Sequence, residues 1–277
     1  MLGQRVVTAL VLLAVLLPAL FASVAWPFAV VTLILIGAAG WEWARLNGLP
    51  AIALASGGLL GLTCALALWL RWPNAAPPAL WWGAALLWVL GGAWALHAGP
   101  PAWPRLPRAL RWALGMALLF VAWLALASAR GLGVNFILSV LCLVWVADIA
   151  AYFGGRRYGR RKLAPAISPG KSWEGAVSGA LGVLLLAMLW IAIDRRVAVD
   201  SASLYTRLHE RLGAVGLVPV LAFLAGMSIV GDLFESLVKR SAGAKDSSAL
   251  LPGHGGVLDR IDALLPVFPI ALALASL

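Results

Sequence analysis

Nine long apolar runs follow one another along this chain and leave little room for any other kind of segment. They cover 6–22, 28–47, 51–70, 79–98, 109–129, 132–153, 175–193, 214–237 and 263–277. A helix needs about 20 mainly apolar residues to cross a bilayer. Hydrophobic residues make up 63% of the chain and charged residues 12%, whereas a soluble domain carries about 25% charged residues. The sequence therefore predicts an all-α, polytopic integral membrane protein with about nine transmembrane helices.

The first run has a second interpretation. Residues 1–25 contain Arg5, then an apolar stretch, then small residues from Ser23 to Ala25. That order is also typical of a cleaved signal peptide. Because a chain with many later spans rarely needs such a peptide, we expect a membrane span here.

The basic residues are distributed as membrane topology would place them. With nine spans, 15 of the 21 Lys and Arg residues fall on one side of the membrane. The six on the other side are Arg71, Arg130, Arg195, Arg196, Arg207 and Arg211. Cytoplasmic loops carry the excess of Lys and Arg, so the N-terminus and the polar loops are predicted to face the cytoplasm. The net charge of +10 then indicates membrane lipids as the surroundings and no nucleic-acid partner.

Carboxylates are scarce, and most of them are concentrated. The chain has 11 Asp and Glu residues, and seven of them lie in two polar blocks, 148–175 and 231–262. The other four are Glu42, Asp194, Asp200 and Glu210. Both blocks belong to the side predicted to be cytoplasmic. We therefore expect the chemistry of the protein at that face of the membrane.

The first block begins inside an apolar run. Asp148, Tyr152 and Arg156 have helical spacing and share one face at the end of the sixth run. A carboxylate within a span is costly, so Asp148 marks either a functional site or an ion pair with Arg156. The turn at 168–172 leads into the next helix and would present N–H groups, hydroxyls and Lys171 to an anion. A cap for that helix is the competing interpretation.

The second block carries a polar stripe at helical spacing, formed by Asp232, Glu235, Ser236 and Lys239. A stripe like this on a membrane helix must face the protein interior or a wet cavity. Asp259 and Asp262 follow a glycine-rich turn and point the same way. Carboxylates from two segments suit Mg²⁺, which proteins usually hold with one or two carboxylates and substrate phosphates. The neighbouring Lys and Arg residues suit phosphate. A structural network of ion pairs is the alternative.

The second block resembles the signature of the phosphatidate cytidylyltransferases, also called CDP-diacylglycerol synthases. The matching run reads S-L-V-K-R, four residues, K-D, and then P-G-H-G-G-V-L-D-R-I-D, 27 residues from Ser236 to Asp262. The first block is similar to that family too, with one departure at Gly170, where members often carry a second lysine. The resemblance covers the C-terminal half. We therefore divide the chain into N-terminal transmembrane helices, 1–130, and a catalytic transmembrane region, 131–277.

The resemblance implies an enzyme that converts CTP and phosphatidate into CDP-diacylglycerol and pyrophosphate for phospholipid synthesis. It implies a multi-pass protein of the cell (inner) membrane whose active-site loops face the cytoplasm, either as a monomer or as a homodimer. It also implies Mg²⁺ as the cofactor, with K⁺ as a candidate second ion.

Site residues follow from the same resemblance. The implied metal ligands are Asp232, Asp259 and Asp262. The implied catalytic residues are Asp232, Asp259, Lys239, Lys245 and Asp246. The implied substrate-binding residues are Ser168, Lys171, Ser172, Glu174, Ser236, Arg240, His254, Gly255, Gly256 and Arg260. The glycines beside His254 suggest that backbone geometry matters there at least as much as the imidazole.

Two other classes of protein fit part of the pattern. An ion-coupled transporter also keeps acids inside its spans, but it predicts polar groups near mid-bilayer and repeat symmetry, whereas the polar residues here cluster at one face. A polyprenol or lipid kinase-like phosphotransferase would use the same metal and phosphate chemistry. The 27-residue signature is the feature that separates it from the favoured interpretation.

Overall fold

The structure is a computed structural model that describes the backbone of residues 2–277 and the side chains from residue 7 onwards, except residue 9. This part of the chain is mainly helical. The helices are α1 (Leu2–Phe21), α2 (Trp26–Leu46), α3 (Ala53–Trp69), α4 (Trp72–Ala75), α5 (Pro78–Ala98), α6 (Arg108–Leu132), α7 (Val134–Tyr158), α8 (Trp173–Asp194), α9 (Leu204–Ser241), α10 (Leu258–Ile261) and α11 (Leu264–Ala275). An antiparallel hairpin, β1 (Lys162–Ala164) and β2 (Ser168–Ser172), lies between α7 and α8.

Each apolar run corresponds to one helix, and the membrane character of the chain is confirmed. Within the described residues, seven helices are long and apolar enough to cross a bilayer: α2, α3 with its preceding turn, and α5 to α9. The count of about nine is not confirmed, because α1 has only a short apolar stretch, Leu10–Phe21. Helix α11 has 12 residues, or about 18 Å, against the roughly 30 Å of a hydrocarbon core.

Helix α9 is longer than a bilayer requires. Its 38 residues are broken at Gly213, where φ is +68°, a value that favours glycine. The kink separates an amphipathic first part from the apolar run that crosses the membrane. Asp232 and Lys239 therefore lie near the far end of the spanning part.

The helix ends gather polar residues into two layers. In the layer away from both blocks, Asp200 accepts hydrogen bonds from the backbone N–H groups of Val134 and Asn135. Asp194 accepts from the Asn135 amide, at 3.0 Å, and from Thr206. These acids therefore hold the start of α7 against the loop between α8 and α9.

An aromatic cluster joins α2, α6 and α9 behind the other polar layer. The indole N–H of Trp43 donates to the carbonyl of Arg111 at 3.0 Å, and its ring stacks on Phe234 with centroids 6.2 Å apart. Gly115 of α6 lies so close to this indole that a methyl group there would overlap the ring. The missing side chain at 115 thus sets how closely α2 approaches α6.

We expect Gly115→Ala to destabilise the protein by about 1–3 kcal/mol, because the added methyl group overpacks the contact with Trp43. Thermal unfolding in detergent measures the effect. Gly58→Ala is the matched control, since a side chain at Gly58 meets open space on α3 and alanine favours the helix. Equal unfolding temperatures for the two variants would contradict the packing argument.

Candidate active site

The hairpin is fixed by the close packing of α7 against α8. A side chain at Gly175 or Gly179 would come within 2.9 Å of backbone carbonyls of α7. The Ser172 hydroxyl accepts a hydrogen bond from the N–H of Gly175 at 3.1 Å and caps the start of α8. The predicted cap is therefore present. Since Ser172 also ends β2, the same contact holds the hairpin and its Lys171 over α9.

A polar cavity of about 510 Å³ opens between α7, the hairpin, α8 and α9. Its polar lining residues are Asp148, Tyr152, Arg156, Ser168, Lys171, Ser172 and Asp232. Across it, Lys171 Nζ lies 2.7 Å from Asp232 Oδ2. The fold thus brings residues of both polar blocks, which the sequence placed on the same side of the membrane, to one cavity.

Asp148 faces this cavity without the ion pair that the sequence left open as an alternative. The salt bridges in the described part of the chain join Lys171 to Asp232 and Lys239 to two other acids. Arg156 instead donates to the phenol oxygen of Tyr152 at 3.3 Å. The ion pair with Arg156 is therefore not present among the described residues, and a functional role of Asp148 stays a prediction.

Lys239 lies below the cavity, with 8% of its surface exposed. Its ammonium group forms salt bridges to Glu235, one turn earlier on α9, and to Asp259 Oδ1 at 2.5 Å. The family resemblance implied a catalytic role for this lysine. In the structure its partners are two protein carboxylates, so it ties α9 to the loop that carries Asp259.

Asp259 is surrounded by donors from its own loop. Besides Lys239, it accepts hydrogen bonds from the N–H of Ser247 at 2.9 Å, the hydroxyl of Ser247 at 2.8 Å and the N–H of Gly256 at 2.7 Å. Burial alone would raise the pKa of Asp259, but these donors outweigh it and lower the pKa below its usual value. Asp259 is therefore ionised at neutral pH and organises the loop from 246 to 259.

Asp262 lies against α9, where the backbone of Gly231 approaches its carbonyl. Burial raises the pKa of Asp262, and the nearby carboxylates of Asp232 and Asp148 act in the same direction. The Ser236 hydroxyl donates to Asp232 at 3.2 Å. Asp148, Asp232 and Asp262 therefore form a group of acids whose mutual repulsion a cation would relieve.

The acids of this region are candidate ligands for a hard cation, and the magnesium site stays a prediction. In the described chain, no three His, Cys, Asp or Glu side chains converge closely enough to hold a metal ion by themselves. Mg²⁺ commonly takes one or two carboxylates and completes its shell with water and phosphate oxygens. Asp232, which stands in the cavity wall, is the best placed of the predicted ligands for such a role.

The remaining predicted residues lie around the cavity, at the ends of α8 and α9, in α10 and on the loop between α9 and α10. Glu174 accepts from the backbone N–H groups of Arg160 and Arg161 and so closes the loop after α7. Arg260 donates to the carbonyl of His254 at 2.7 Å, across the glycine-rich turn that includes Gly255. The other members, Arg240, Lys245 and Asp246, are exposed.

Glu42 is a polar residue of this region that the sequence reasoning left outside the two blocks. It lies in α2, is fully buried, and accepts four hydrogen bonds from the loop that carries Asp259. The signal was present in the sequence, since a carboxylate inside the apolar run 28–47 meets the same criterion as Asp148.

We expect Lys239→Met to destabilise the protein by about 3–5 kcal/mol, because it leaves Glu235 and Asp259 as buried charges without a counter-ion. The double variant Glu235→Gln with Lys239→Met should recover part of this loss, since it removes one of the two stranded charges. Thermal unfolding of the three proteins in detergent tests both statements. Wild-type stability of the single variant would show that the two salt bridges contribute nothing.

Comparison with known proteins gives one consistent result. The model of the cytidylyltransferase family matches residues 3–277. The phosphatidate cytidylyltransferase of Pseudomonas aeruginosa is 39% identical over 285 residues, which cover 99% of this chain and 97% of the relative. That of Haemophilus influenzae is 35% identical over 298 residues, 97% of this chain and 96% of the relative. The shared sequence thus runs through both polar blocks and the N-terminal helices, and the chain belongs to the cytidylyltransferase family.

Proposed function

We propose that this chain is a phosphatidate cytidylyltransferase: it transfers the cytidylyl group of CTP to phosphatidate and yields CDP-diacylglycerol and pyrophosphate. The names of its near full-length relatives support the activity. The structural observation that carries the proposal is the difference between the side chains of two neighbouring cavities. The polar cavity is lined in part by charged side chains, whereas the second one, called the apolar cavity below, is lined mainly by uncharged apolar residues.

The apolar cavity has a volume of about 750 Å³ and lies between the end of α5, the hairpin and α9. It shares Leu163, Ala176 and Ile229 with the wall of the polar cavity. A lipid phosphate needs both environments, since its acyl chains and glycerol favour apolar surface while its phosphate needs cations and hydrogen-bond donors. We assign the apolar cavity to phosphatidate and the polar cavity to the reacting phosphates.

The reaction makes modest demands on proton transfer. A phosphate oxygen of phosphatidate, already ionised, bonds to the α-phosphorus of CTP, and the bond to the β-phosphate oxygen breaks to release pyrophosphate. The main barrier is the approach of two polyanions, so catalysis is chiefly positioning and charge neutralisation. Lys171 and Arg156 line the polar cavity and supply positive charge there.

The exposed basic residues complete the binding of the triphosphate. The site is bordered by Arg240 at the end of α9, Lys245 on the following loop and Arg260 in α10. All three are exposed, and their charges are available to phosphate. Lys239 acts differently, through the salt bridges that keep Asp259 and its loop in place.

Mg²⁺ would be held by Asp232 together with Asp262, next to Asp148. When bound, the ion supplies positive charge that offsets the repulsion between the substrates. Asp259 stays a predicted ligand, although its oxygens already accept hydrogen bonds from Lys239, Ser247 and Gly256. K⁺ remains the candidate for a second ion.

The membrane arrangement that we propose has nine spans. It includes α1, whose apolar stretch is short, and the short helix α11. Both polar blocks and the end of α2 lie in one layer, and the Lys and Arg excess on that side favours the cytoplasm. The active site then faces the cytoplasm from the inner membrane. Residues 1–130 form the supporting helices, and 131–277 carry the catalytic groups.

Purified protein incubated with labelled CTP, phosphatidate and Mg²⁺ should form a lipid-soluble cytidine product and pyrophosphate, and EDTA should stop the reaction. Asp232→Asn should lower kcat by about 10²-fold or more, because a charged group facing the reacting phosphates is lost. Glu210→Gln is the control, since Glu210 is an exposed acid in the first part of α9, away from both blocks. Labelled lipid formed from ATP instead of CTP would favour the kinase class.

Gly226→Leu should raise the KM for long-chain phosphatidate by about tenfold and leave the KM for CTP unchanged, because the new side chain enters the apolar cavity. A side chain at Gly226 meets open space, so the fold tolerates it. Gly83→Leu on α5 is the matched control, a helical glycine that also meets open space but does not line this cavity. Equal effects on CTP and phosphatidate would argue against the lipid assignment.

A further inference from the structure

Helix α2 carries one carboxylate, and that carboxylate is fully enclosed. Glu42 has 0% of its surface exposed. An ionised carboxylate is retained in such a place only where hydrogen bonds replace its hydration. The donors that form these hydrogen bonds therefore indicate the role of Glu42.

All four donors to Glu42 come from one distant loop. Oε1 accepts from the Ser248 hydroxyl at 2.5 Å and the N–H of Val257 at 2.9 Å. Oε2 accepts from the Ser247 hydroxyl at 3.1 Å and the N–H of Leu258 at 2.7 Å. The carboxylate thus clamps both arms of the loop, one at 247–248 and the other at 257–258.

The same loop is built around Asp259, and Ser247 connects the two acids. Its hydroxyl lies 2.8 Å from Asp259 Oδ2 and 3.1 Å from Glu42 Oε2. A serine hydroxyl has one proton to donate, so the two carboxylates share it. Any displacement of Glu42 is therefore transmitted to the group that organises the active-site loop.

Glu42 and the loop pack so closely that there is no space for a side chain at Gly256. A side chain at this position would overlap the carboxyl group of Glu42 and the hydroxyl of Ser247. The last glycine of the P-G-H-G-G motif is therefore explained by the approach of Glu42.

We propose that Glu42 is a positioning residue of the active site, which holds the loop from 246 to 259 in its reactive geometry from outside the catalytic region. It acts through Ser247 and the backbone of Val257 and Leu258 and does not touch substrate. This inference rests on the proposed function for its kinetic consequences, whereas its structural part stands independently.

The first test is kinetic. Glu42→Gln should lower kcat about 100-fold, because it exchanges an acceptor for a donor opposite N–H groups and lets the loop shift. The KM for CTP should change little. The double variant Glu42→Gln with Ser247→Ala should have a kcat within about twofold of the slower single variant, since coupled residues are not additive. Additive losses would overturn the proposal, because they would mean two independent effects.

The second test needs no activity. Hydrogen exchange followed by mass spectrometry should show faster exchange of the amides of 246–258 in Glu42→Gln than in the wild type. Thr32→Val is the matched control, since it removes another buried polar group of α2, whose partner is Trp123. It should lower stability without affecting kcat or exchange in the loop. Unchanged exchange in Glu42→Gln would overturn the proposal.

Ser248→Ala keeps the proposal testable if Glu42→Gln does not fold. It removes one donor to Glu42 without any contact to Asp259, and should accelerate exchange at 257–258 and lower kcat about tenfold. Wild-type exchange in this variant counts against the clamp. Failure of the proposed function has a different signature: the wild type would make no lipid-soluble cytidine product, while the exchange differences between variants would persist.

Discussion

The candidate active site depends on a buried ammonium group placed between two carboxylates. Lys239 joins Glu235 on α9 to Asp259 on the following loop, and all three side chains are largely removed from water. Breaking such a cluster is costly, because each charge left behind has no hydration to replace its partner. The loop therefore cannot drift away from α9, and the position of Asp262 beside Asp232 follows from this attachment.

The helices and the hairpin around the Lys239 salt bridges form the cavities that we assign to two unlike substrates. Glycine contacts between α7 and α8 hold the hairpin over α9, so Lys171 and Asp232 meet across a polar cavity. An apolar cavity shares part of its wall. A phosphate that is attached to a lipid can reach the polar cavity from this neighbouring space, and the surplus of positive side chains at that end suits the triphosphate that it meets.

Much of the fold was predictable because the free energy of transfer from water to lipid largely decides which segments form membrane helices. The run 109–129 corresponds to Arg108–Leu132, and each of the other runs also lies on one helix. The largest difference is at α9, Leu204–Ser241, which begins ten residues before its run, 214–237. The length of α11 was less predictable, since apolar composition alone does not say whether a helix crosses a bilayer. The hairpin was missed because 162–172 is too short and too rich in glycine, proline and charge to show strand alternation.

The sequence predicted most residues of the candidate site but not the contacts between them. Helical spacing placed Glu235 and Lys239 on one face, but no local pattern shows that Lys239 is paired to Asp259 across the loop. The hydrogen bonds between Glu42 and the second block could not be predicted from the sequence for the same reason. It depends on which helices pack together, and sequence spacing carries that information only within an element.

The contact between Glu42 and Gly256 has a consequence for how this sequence can change. A larger residue at 256 has no place while a glutamate occupies 42, and a shorter residue at 42 leaves the loop amides without acceptors. The two positions are more than two hundred residues apart, yet each restricts what the other tolerates. The signature motif therefore limits which substitutions position 42 of the N-terminal helices accepts. An exchange of these helices between relatives should succeed only where the residues at 42 and 256 come from the same protein.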